Sequence, residues 1–74
     1  MYLLKRNPMM ADAWNVVHPS THAVAGWVLK RPNVDTGAAE WRGYHVPEDG
    51  VTPATLVATT TTRARAAAAV WAAK

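Results

Sequence analysis

Three histidines, one serine, eight lysine or arginine residues and five acidic ones are the side chains of this chain with chemistry to offer, and there is no cysteine. His18 and His22 stand four apart, the spacing that puts two imidazoles on one helical face, and His45 is a candidate third zinc ligand. Pro19 between the first two works against a shared helix, and no cysteine or well-placed carboxylate completes the set. The expectation is three surface or edge histidines, with no bound metal and no cofactor. Ser20 sits beside Pro19 with no legible His and Asp partners, and the four glycines are scattered without a phosphate-binding pattern. No catalytic residue is expected, and the chain does not read as an enzyme.

The basic residues are more informative. Lys5 and Arg6 lie near the start, and Lys30, Arg31, Arg42, Arg63 and Arg65 form a candidate set for binding an anion or nucleic acid. Arg63 and Arg65 fall in the first turns of a predicted helix, whose N-terminal partial charge disfavours them by a few tenths of a kcal/mol. Either a bound anion compensates there, held with the free N–H groups after Thr61 and Thr62, or both arginines are simply solvated. Four tryptophans in 74 residues are many. Trp27 and Trp71 are expected to anchor the core. Trp14 and Trp41, with Arg42 and Tyr44, make a candidate partner-binding set, since an exposed Trp beside an Arg suits an interface hot spot or a base-stacking platform.

The run Val34-Asp35-Thr36-Gly37-Ala38 is similar to the Asp-Thr-Gly-Ala loop of retroviral-type aspartic proteases. In that family one Asp per subunit shares a proton with its twin and activates water. The similarity ends after five residues, with no apolar-apolar-Gly motif elsewhere, and Asp-Thr-Gly is read as a plain turn.

Composition bounds the rest. With 74 residues, a net charge of +3 and a pI near 9.8, there is room for one small domain. Half the residues are hydrophobic, but they are mostly Ala and Val, with no Phe. The core must be thin, and a chain of this size is marginal unless something staples or partners it. Pro8 and Asp12 interrupt the apolar start that a secretory signal would extend, and the Ala-rich stretch 66–73 is far short of a membrane span. The chain reads as an intracellular, cytoplasmic protein with no membrane partner and no small-molecule substrate.

Four elements are needed to position these side chains. Alternation of Ala25, Trp27 and Leu29 against Val24, Gly26 and Val28 predicts a strand over about 22–30. A second alternates Trp41, Gly43 and His45 against Arg42, Tyr44 and Val46 over 40–46, antiparallel to the first across a turn-rich connection. Pro47-Glu48-Asp49-Gly50 is a tight-turn signature in which Gly50 accepts a positive φ. A third strand follows over 54–59, and a Thr-capped, Ala-rich helix over 62–73. Residues 1–20 form a separate N-terminal element. There Asn7-Pro8 can open a short helix, Met10, Ala13, Trp14 and Val17 fit one helical face, and 14–17 fits a strand nearly as well. The expected fold is α+β, a βββα domain over 21–74 with one helix packed on a three-stranded antiparallel sheet.

That layout, with Trp27 in the first strand, Trp41-Arg42 in the second, Leu56 to Thr59 as the third and the helix over 63–73, resembles the arm-type DNA-binding domain of tyrosine integrases. With its Ala, Val, Thr, Arg and Trp bias it also resembles small accessory proteins of actinobacterial phages. The resemblance covers residues 22–74 and implies a non-enzymatic protein that contacts a macromolecule through the outer face of its sheet. Thin core, modest charge and Trp content favour a protein partner, either a host protein that it modulates or its own copies. Basic pI and the arm-domain resemblance favour the alternative, a DNA-binding module using the sheet face and the basic start of the helix.

Overall fold

The structure is a computed structural model and describes residues 1–49 and 51–73. Its element order is β1 (Leu3–Arg6), β2 (Ala13–Val17), β3 (Val24–Pro32), β4 (Ala39–His45), β5 (Thr55–Thr60) and α1 (Arg63–Ala72). The five strands form one antiparallel sheet in the order β1-β2-β3-β4-β5. This corrects the expected three-stranded sheet: the strands expected over 22–30, 40–46 and 54–59 correspond to β3, β4 and β5 with their ends shifted by one or two residues, and residues 1–20 add two more. β1 pairs with β2 from Leu3↔Val17 to Arg6↔Trp14, and β2 pairs with β3 from Ala13↔Leu29 to Val17↔Val24.

The predicted helix start at Asn7-Pro8 is a hairpin loop. Asn7 Oδ1 accepts a hydrogen bond from the Met9 N–H at 2.8 Å, and the Asn7 N–H donates to the Ala13 carbonyl at 3.0 Å. The asparagine therefore caps a turn, which its side chain does as readily as it caps a helix. The loop closes with Asp12 at a φ of 55°. Between β3 and β4, Asn33 Oδ1 accepts from the Asp35 and Thr36 N–H groups, and Gly37 takes a φ of 74°. The Asp-Thr-Gly run is thus a turn whose Asp35 is exposed. Gly50, expected to take a positive φ, and Lys74 lie outside the described residues.

Alternation and register assign the strand residues to two faces, apart from the register shifts between Val16 and Val17 against β3 and between Gly43 and Tyr44 against β5. Val16, Gly26, Val28 and Gly43 face α1, which lies against β3, β4 and β5 and contributes Ala66, Ala67 and Val70 to the core. A Cβ on Gly43 would come within 2.9 Å of both the Ala66 carbonyl oxygen and Val70 Cγ2. A helix of small residues can approach a sheet this closely only where the strands beneath it are stripped to glycine. The largest fully buried side chains are valines, Val16, Val28 and Val70, so the core is as thin as the composition requires. Tyr2, Leu4, Trp14, Trp41 and Trp71 pack around it, half-buried.

α1 is capped by Thr62, whose side chain accepts the Arg65 N–H at 3.3 Å. Its first turn carries no acidic residue. No helix among the described residues is long and apolar enough to cross a membrane.

Candidate binding face

Among the described residues, no second helix or sheet lies over the face of the sheet turned away from α1. One cross-strand row runs over all five strands: Lys5, Asn15, Trp27, Tyr44 and Leu56. The next row is Ala13, Leu29, Arg42 and Thr59, and Arg31 opposite Glu40 follows. Ala13 and Leu29 are buried here.

At the centre of this face Trp27 and Tyr44 stack from directly opposed positions of β3 and β4, with ring centroids 6.0 Å apart and planes 30° from parallel. Both are half-buried. Arg42 donates from Nη2 to Glu40 Oε1 at 3.1 Å, with side-chain exposures of 33% and 17%. The Arg42 pKa is raised, chiefly by that hydrogen bond to Glu40 and to a smaller extent by Tyr44, while burial acts the other way. Glu40 is the one carboxylate among the strand residues of this face, and Arg42 already neutralises it. Arg31 is exposed directly opposite it and Lys5 is exposed on β1 at the edge of the sheet, so the strand residues of this face are net positive.

The candidate partner set is divided by this geometry. Arg42 and Tyr44 lie on the open face, whereas Trp14 and Trp41 lie on the helix side and pack against the core. Trp27, expected in the core, stands on the open face, while Trp71 flanks the core with its ring 5.9 Å from Tyr2 and 4.7 Å from His18. The two-residue period already separated Trp41 from Arg42, because neighbours on a strand point to opposite sides. Of the candidate anion set, Arg31 and Arg42 share the open face, Lys30 points to the helix side opposite Trp41, and Arg63 and Arg65 are on the helix. The Arg63 guanidinium lies 4.5 Å from the Trp14 ring centre, with Arg6 on the same ring at 5.8 Å. Arg63 therefore has an indole partner beside the unfavourable helix terminus. Lys5 and Asn15 were not among the candidates, and only the pairing of β1 and β2 brings them to the face.

The histidines are dispersed. His18 meets Trp71 edge-on, His22 Nδ1 is 3.3 Å from Lys5 Nζ, and His45 Nδ1 is buried without a hydrogen-bond partner. Among the described residues no three His, Asp or Glu side chains come together as a metal site would require.

No protein-family model, no curated protein and no solved structure matches this chain.

Proposed function

We propose that this protein is a non-enzymatic binding module and that its open sheet face binds nucleic acid. The observation that carries this reading is the stacked Trp27–Tyr44 pair at the centre of a face that no second layer covers, with Lys5, Arg31 and Arg42 around it. Cations around an aromatic centre suit a ligand with phosphates on its backbone and flat rings between them. A face with free carboxylates would repel that ligand, and here Glu40 is paired.

Salt dependence tests the reading. Each phosphate neutralised on a single strand contributes about −0.7 to the slope of log K on log salt. Arg42 is held by Glu40, so the two uncompensated cations, Lys5 and Arg31, predict a slope of about −1.4, or a roughly 7-fold loss of affinity between about 50 and 200 mM salt. The double variant Lys5→Ala, Arg31→Ala should weaken binding and flatten that slope, whereas Arg65→Ala, on the helix, should do neither. Binding to a labelled oligonucleotide that ignores salt, or that responds to Arg65 and not to the face, contradicts the reading.

A protein partner is the second reading, either a host protein or a second copy of the chain. Leu3 at 39% and Leu56 at 49% exposure favour it, because they extend the apolar part of the face to both edges of the sheet. It predicts self-association or capture that is insensitive to salt and lost in Leu56→Lys.

A further inference from the structure

We infer that the open face takes single-stranded nucleic acid, with unpaired bases stacking on Trp27 and Tyr44 and phosphates held at the rim. This rests on the reading of that face as a nucleic-acid surface and adds which form of nucleic acid it selects. A duplex offers phosphates and groove edges and keeps its base faces inside. The central residues of this face are suited to the opposite presentation. Two aromatic rings, with centroids 6.0 Å apart on the adjacent strands β3 and β4 of the face's longest row, offer π surface on which an unstacked base can stack.

Their surroundings fit the same ligand. Asn15 stands directly opposite Trp27 on β2, and its Oδ1 accepts from Asn7 Nδ2 at 3.2 Å. The Asn15 amide nitrogen makes no hydrogen bond among the described residues, which leaves it to donate to a base edge beside the ring pair. Lys5 ends the same row, Arg42 starts one row away, about 6.8 Å along the strands, and Arg31 two rows away. Base-reading groups thus occupy the middle, with the exposed cations Lys5 at the sheet edge and Arg31 two rows away. Four inter-strand spacings of about 4.8 Å place Lys5 and Leu56 about 19 Å apart, room for a short strand laid across the sheet. A base on a phosphate chain is the shared chemistry of DNA and RNA, and the experiment separates them.

The test is fluorescence anisotropy of labelled oligo-dT, oligo-rU and a duplex of equal length against the full chain at about 50 mM salt. Variants are Trp27→Leu, which keeps apolar bulk and removes the ring, and Trp27→Phe, which keeps a ring; thermal melting checks that each is folded. The expected result is tighter binding of one or both single strands than of the duplex, with Trp27→Leu about 5- to 100-fold weaker and Trp27→Phe retaining most of the affinity. Tyr44→Leu repeats the test should Trp27→Leu fail to fold. Duplex binding as tight as single-strand binding, or single-strand binding unchanged in a folded ring-less variant, overturns the inference and leaves the broader reading standing. No binding to any of the three overturns both.

Discussion

Gly26→Ala is the substitution that most directly probes how the two faces are assigned. A Cβ at position 26 would sit 2.5 Å from Val70 Cγ1 and well inside contact distance of the Tyr44 carbonyl oxygen, on the neighbouring strand. The valine can turn, but the carbonyl is backbone, so β3 and β4 must part or α1 must lift. Overpacking of a closed core costs about 1–3 kcal/mol, and a clash with backbone belongs at the upper end. Replacing glycine in a strand returns up to about 1 kcal/mol through the unfolded chain. The net is about 2 kcal/mol, against a total stability of roughly 4–11 kcal/mol for a chain of this length. For a domain of this size that lowers the melting temperature by about 8–16 °C. Circular dichroism melts of the wild type and Gly26→Ala measure it. A variant that melts at or above the wild-type temperature refutes the reasoning, because α1 would then not be seated over Gly26, and Trp27 and Tyr44 could not be placed on the uncovered side.

Gly37 has open space where a Cβ would go but a φ of 74°, so Gly37→Ala should cost about 1–2 kcal/mol through strain alone, read as a fall in the urea midpoint. Arg63→Ala removes a cation 4.5 Å from the Trp14 ring and should lower stability by about 0.5–1 kcal/mol with a change in tryptophan emission, while Arg65→Ala should leave that emission alone. Asp49 accepts from the Thr52 hydroxyl and from the Thr52 and Val51 N–H groups, and these bonds hold its pKa below the ordinary value, the hydroxyl most strongly. A carboxylate with a depressed folded pKa stabilises the fold above its unfolded pKa, and that contribution is lost as pH falls through the folded value. Urea midpoints of the wild type should therefore drop across the acid range below about pH 4 more than those of Asp49→Asn; equal slopes would contradict it.

β3, β4, β5 and α1 were legible because each has a signal: a period of two in β3 and β4, β-branched Thr and Val in β5, and an alanine run after a threonine cap in α1. β1 and β2 were not, for reasons specific to their residues. Leu3-Leu4-Lys5-Arg6 has no alternation, Trp14 to Val17 satisfies both periods, and Asn7-Pro8 marks a helix start and a turn alike. Alternation also separated the two faces of β3 and β4 correctly in principle, with Trp27 against Gly26 and Tyr44 against Gly43. Expecting Trp27 in the core followed from the notion that the largest side chain must be buried. An alanine-rich helix imposes the opposite condition, since an indole beneath it would hold it off the sheet and glycine lets it settle. The face bearing Gly26 and Gly43 is therefore the covered one, and Trp27 and Tyr44 are left outside, while Trp14 and Trp41 pack against the core on the covered side. Lys5 and Asn15 could be placed beside them only once β1 and β2 were known to join the sheet.

The most direct test of the central claim is to map amide and indole chemical shifts of the labelled chain as a short single-stranded oligonucleotide is added. Binding on the open face predicts shifts at Lys5, Asn15, Trp27, Arg42 and Tyr44, with Ala66, Ala67 and Val70 unmoved. Shifts confined to α1 and its Arg63–Arg65 end, or none at all, would contradict it.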